Sequence, residues 1–166
     1  MTRTTIAAAT VLAGLAGVAP AQDAPAARWE PRQAQFRFVS DVLYSCEALE
    51  RKIRALLLAA GARDDAVVDV CDQPTLLHIK LGFSAAVPAQ AGPTTETFPA
   101  QWSRVDVNGL RARELDRADC MLMRDFGRQV LPLFAVRDLQ PLPSCGPGTI
   151  NPSLRFTALK PAPPAK

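Results

Sequence analysis

The chain has 166 residues, 48% of them apolar and 21% charged, a composition that excludes a disordered tail, a coiled coil, a collagen-like repeat and a polytopic membrane protein. Nineteen Lys and Arg against sixteen Asp and Glu leave a net charge of +3, dispersed along the chain, which is no electrostatic footprint for nucleic acid. The length fits one small domain with enough chain to bury a core.

Arg3 is followed by an uncharged run from Ile6 to Ala19, shorter than the ~20 apolar residues that cross a bilayer as a helix. Ala19-Pro20-Ala21 is the small-x-small pattern a signal peptidase accepts, so residues 1–21 read as a signal peptide, with an uncleaved N-terminal anchor as the alternative. Export to the periplasm or the medium is the expectation, with no membrane span left after cleavage. In that setting Cys46, Cys71, Cys120 and Cys145 are expected to form disulfides.

The Ala/Pro-rich stretch 22–33 reads as a flexible lead-in to a single domain over 34–160. Phe36 and Phe38 alternate as a strand. Leu49, Ile53, Leu56, Leu57 and Ala60 then form the apolar stripe of a helix from Cys46 to about Ala60, with Gly61 as its left-handed cap. Asp65–Val70 reads as a short strand. In the next, Leu77, Ile79, Leu81 and Phe83 face inward and His78 and Lys80 outward. Residues 84–101 have no periodicity and three prolines, which predicts a loop. Val105 and Val107 begin a second series. A helix follows from Cys120, with Met123, Phe126, Val130 and Leu131 inward, until Pro132 ends it. Val136–Leu142 reads as an irregular strand, Ser153–Leu159 as the last strand, and 161–166 as a disordered polyproline-like tail.

The two series match. Cys46 to Cys71 and Cys120 to Cys145 both span 25 positions, and Arg63-Asp64 and Arg137-Asp138 share an offset from their leading cysteine. This predicts a duplicated strand–helix–strand–strand unit, with halves 34–83 and 102–160. The fold class expected is α+β: a mostly antiparallel sheet with both helices on one face, ferredoxin-like. Four cysteines allow three pairings. This layout favours Cys46–Cys71 and Cys120–Cys145, each tying a helix start to the end of the strand that follows.

Chemistry is sparse. No Cys-x-x-Cys, phosphate loop, nucleophile elbow or dinucleotide fingerprint occurs. His78 is the only histidine, so no triad is evident, and no catalytic residue, metal site or cofactor is expected. Asp64, Asp65, Asp69 and Asp72 cluster around one strand, and Glu114, Asp116 and Asp119 precede the second helix. His78, Asp69 and Asp72 are the binding candidates. The stretch Ser45-Cys46-Glu47-Ala48-Leu49 running to Gly61 and a valine-rich strand resembles the first half of a heavy-metal-associated domain. Leu43 stands where that family's first metal cysteine would fall, so the metal function does not carry over. The whole also resembles small exported proteins of unknown function from Gram-negative bacteria, a likeness that implies no activity. The reading is a non-enzymatic, disulfide-stapled domain that binds a protein or an envelope component, with Phe36–Val39 or Leu154–Leu159 as an exposed docking edge. The competing reading is a small periplasmic hydrolase or ligand-binding protein using 84–101 as a lid.

Overall fold

The computed structural model describes residues 25–40, 42–70, 76–90, 96–108, 115–149 and 151–164. The proposed signal peptide lies outside them, as does Cys71. Helix α1 spans Cys46–Ala60. Ser45 caps it by accepting a hydrogen bond from the Ala48 amide, and Gly61 ends it at φ 99°. Its buried residues are Leu49, Ile53, Leu56, Leu57 and Ala60, the stripe the periodicity selects. Helix α2 spans Cys120–Gln129. It is entered through a reciprocal capping box between Asp116 and Asp119 and followed by a 3-10 turn at Leu131–Leu133, where Pro132 stops it.

Six antiparallel strands are β1 (Ala26–Val39), β2 (Val67–Asp69), β3 (Leu76–Pro88), β4 (Phe98–Asn108), β5 (Val136–Arg137) and β6 (Ser153–Pro161). Their order across the sheet is β2-β3-β1-β4-β6-β5. The element order β-α-β-β-β-α-β-β differs from the β-α-β-β-α-β of a ferredoxin-like domain. The order also reads the same when the first four elements are exchanged for the last four.

Hydrogen-bond register repeats with it. Ala27 pairs with Pro88 and Ala100 with Pro161, so both members advance by 73 positions. The Ala89 amide donates to the Ala26 carbonyl, and the Ala162 amide to that of Pro99, at the same offset. Ala62 bridges Ala85 as Val136 pairs with Ala158. By register β5 matches the Ala62 bridge and not β2, whose matching stretch holds Pro141 and Pro143, which cannot donate to a ladder.

The two half-sheets meet along two residues of each: Ala26 with Pro99 and Ala27 with Phe98. From this seam β1 and β4 run in opposite directions. The helices cross it. Helix α1 packs on β4 and β6 of the second half as well as on β2, and α2 packs on β1 of the first half and on β6. One core results, joining Phe36, Ile79, Leu81 and Phe83 to Val105, Val107, Leu154 and Phe156, with Phe83 stacked on Phe134 at 4.8 Å. A second, smaller cluster buries Ala27, Ala100 and Leu159 beneath Phe98, Trp102 and Ala135.

Four expectations are corrected. Strand β1 starts at Ala26, within the stretch expected to be flexible, because β3 extends to Pro88 and pairs with it throughout. Pro31 is tolerated there. Antiparallel pairing alternates, and the backbone of Arg37, six residues on, turns away from β3 toward Gln129, so the missing N–H of Pro31 falls on the side without a strand. Residues 84–88 belong to β3 and 98–101 to β4, so both ends of the expected 84–101 loop are strand. Leu154–Leu159 is no edge either, since β6 is bonded to β4 on one side and, on the other, to β5 and Gln140. The tail is anchored at its start, Pro161 closing β6 and Ala162 bonding Pro99.

Candidate functional site

Cys120, the first residue of α2, is bonded to Cys145, with Cα atoms 5.7 Å apart. The bridge ties the helix start to the irregular 138–149 segment. Cys46 is also disulfide-bonded. The expected partner, Cys71, and the candidate Asp72 fall outside the described residues.

Most carboxylates among the described residues are engaged structurally. Asp119, fully buried, accepts hydrogen bonds from the Lys52 ammonium (2.6 Å), the Tyr44 hydroxyl (2.8 Å) and the Asp116 amide (2.7 Å). Burial, then the hydrogen bond and charge of Asp119, push the Tyr44 phenol well above its usual pKa. Burial alone favours the neutral amine of Lys52, but Asp119 and then Asp116 outweigh it and hold that pKa above the ordinary lysine value. Asp65 clamps the Arg63 guanidinium through Nε and a second nitrogen, which lowers the carboxyl pKa. Among the described residues, no three His, Cys, Asp or Glu side chains are grouped to hold a metal ion.

Two surface features among the described residues bear on function. The first is a shallow trough across β1, β3 and β2, on the sheet face away from the main core. Gly82 forms its floor, with Gln33 on β1 opposite it and Val67 on β2. Two overlapping cavities share these three residues. One, of about 450 Å³, extends toward Gln35, Asp69 and Lys80; the other, of about 470 Å³, toward Pro31, Asp65 and Ser84. A Cβ added at Gly82 would meet nothing within 4 Å, so the protein's own packing does not require glycine there. Val67 is 64% exposed along the wall. Asp69 thus lies in the trough, opposite Lys80. His78 stands on the same face one step beyond Lys80, opposite Arg37, half-buried and outside the trough lining, its buried Nε2 without a hydrogen-bond partner. Of the candidates His78, Asp69 and Asp72, the structure places Asp69 in the trough and His78 outside its lining, and the sequence reading misses Gly82, whose signal is a glycine inside a strand.

The second is a cavity of about 560 Å³ beside the seam, lined by Trp29, Phe98, Arg63, Glu96 and Thr97 with three residues around Pro99 and Pro161. Trp29 packs on Phe98 with ring centroids 4.7 Å apart. Its sequence signal was the pair Ala27-Arg28-Trp29 and Ala100-Gln101-Trp102, at the sheet offset of 73. The chain matches no protein-family model, no curated protein and no solved structure.

Proposed function

We propose that this is an exported, non-enzymatic binding domain, and that the Gly82 trough receives an extended segment of another polypeptide. One observation carries the reading: a glycine sits in the middle of a long strand, where it weakens the sheet and fills no packing need of its own chain. Such a position suits close approach by another backbone. The flanking amides of Gln33 and Gln35, with Asp69 and Lys80, offer donors and acceptors along a path about four strand residues long, roughly 13 Å. The trough is open and shallow, which favours a docking surface over a water-excluding catalytic pocket.

Export is supported by the Ile6–Ala21 sequence pattern together with the Cys120–Cys145 bridge, and no helix among the described residues is long and apolar enough to cross a membrane. Cys46–Cys71 is the second bridge of this reading. The repeated register and the matching cysteine spacing support an internal duplication, with units that begin at Ala26 and Pro99 and end near Pro88 and Pro161. Mass spectrometry of a non-reducing digest tests cleavage after Ala21 and both pairings together.

The binding role is tested with a photo-crosslinking residue placed at Gln33 in the protein as its cells export it. A discrete adduct is expected at Gln33 and none from a control probe at Leu58. Gly82→Ile should abolish the adduct while leaving the melting temperature unchanged or higher. Equal adducts from both positions, or an adduct indifferent to Gly82→Ile, would refute the trough.

A further inference from the structure

The two halves place a tryptophan and an arginine in matching register. Trp29 pairs with Ala86 and Trp102 with Leu159, both at the offset of 73. The Arg63 amide donates to the Ser84 carbonyl, and Arg137 pairs with Thr157, the residue 73 positions after Ser84. The two arginines nevertheless end differently. Arg137 lays its guanidinium over the Trp102 ring, 4.4 Å from the centroid. Arg63 instead turns to Asp65, which grips it at two nitrogens. Asp65, two places after Arg63, grips it, whereas Leu139 stands two places after Arg137, whose Nε lies 3.7 Å from the Asp138 carboxylate.

The first half therefore holds an aromatic site whose own arginine has been drawn off, and a cavity of about 560 Å³ opens beside Trp29 and Phe98. Glu96 lines it, and Asp64, Asp65 and Glu96 all lie close enough to act electrostatically on Arg63, which Asp65 already holds. We propose that this cavity binds the guanidinium of an arginine side chain from a partner polypeptide. That group occupies the place over Trp29 that Arg137 occupies over Trp102, with Glu96 supplying the counter-charge. The second half is the occupied template, and the first is the vacant copy. The cavity beside Trp29 shares no lining residue with the Gly82 trough, although Asp65, which holds Arg63, borders the trough.

The test titrates N-acetyl-arginine amide into the disulfide-intact protein and follows the indole signals of Trp29 and Trp102 by NMR, with N-acetyl-citrulline amide as the neutral isostere. Saturable shifts confined to Trp29 are expected with the arginine derivative, and binding at least about tenfold weaker with citrulline. Asp65→Leu should free Arg63 to close over Trp29 and remove binding while keeping both indole signals in a folded spectrum. Leu139→Asp should draw Arg137 off Trp102, read as a shift of the Trp102 indole signal, and leave binding at Trp29 unchanged. Equal affinity for citrulline, binding that survives Asp65→Leu, preference for tetramethylammonium over arginine, or no saturable shift would each overturn the proposal.

Discussion

Lys52, in the second turn of α1, lies 2.6 Å from the carboxylate of Asp119, which stands immediately before α2 with none of its surface exposed. The pair joins the two halves through residues 67 positions apart, and Tyr44 closes it from the other side. A buried carboxylate with three donors is stable only while all three remain. Asp119→Ala strands an ammonium, a phenol and a backbone amide at once. It should cost about 3–5 kcal/mol, the range for breaking a buried pair, read as a shift of the urea midpoint. Tyr44→Phe removes one hydrogen bond to a charged group and should cost about 1.5–3 kcal/mol.

The same cluster contributes stability that is lost at alkaline pH. The folded-state pKa values of Tyr44 and Lys52 both lie above their ordinary values of 10.0 and 10.5. A raised pKa means that the folded chain holds its proton more tightly than the unfolded one. The stabilisation is therefore complete below the ordinary value and is lost as pH rises through the folded one. Urea midpoints should stay level up to about pH 9.5 and fall above pH 10. In Tyr44→Phe the fall should be shallower, since one of the two titrating groups is gone.

Two glycines should respond in opposite directions. Gly61 adopts φ 99°, and a Cβ there would lie 2.6 Å from the Leu159 carbonyl oxygen, so Gly61→Ala meets both backbone strain and a collision between halves. A loss of at least about 1 kcal/mol is expected. Gly82 has an ordinary strand backbone and open space above it. Gly82→Ala should be neutral or stabilise by up to about 1 kcal/mol, because it restricts the unfolded chain. Thermal melts of the two variants side by side check both.

Neither half should fold alone. Helix α1 lies partly on β4 and β6, and α2 partly on β1, so each fragment would expose the apolar face its partner's helix covers. Chains of residues 22–93 and 94–166 are expected to give unfolded circular dichroism separately and to recover the intact spectrum on mixing. A cooperative melt from either fragment alone would contradict the crossed packing.

What could be read from the residues followed from periodicity. The stripe Leu49–Ala60, the alternation Ile79–Leu81–Phe83 and the set Met123, Phe126, Val130 and Leu131 are buried as their spacing requires. The first eight residues of β1 escaped because Ala, Arg and Pro carry no strand signal. Their pairing with β3 is a tertiary fact, and Pro31 is harmless only because of which way its nitrogen points. In the same way 84–88 and 98–101 are strands through their partners and not through their own pattern. The trough was half legible: Asp69 stood out by charge, whereas Gly82 matters for a side chain it lacks. Lys52–Asp119 and Arg137–Trp102 connect distant segments, and no local pattern announces them. The Trp29–Arg63 vacancy needed the second half beside it before Asp65 and Leu139 could be compared.

The seam between β1 and β4 has a topological consequence. Ala89 leaves the first unit by the same bond with which Ala162 leaves the second, and the chain then takes up again at Phe98, beside Ala27. The Ala100 amide reaches the Pro25 carbonyl, so Pro25 faces Ala100 as Phe98 faces Ala27. The path from Ala162 back to Pro25 is thus a twin of the path from Ala89 to Phe98, and a linker of about eight residues would close the polypeptide into a ring. Such a ring could be cut between the units and still thread the same sheet, with the second unit leading and the first following.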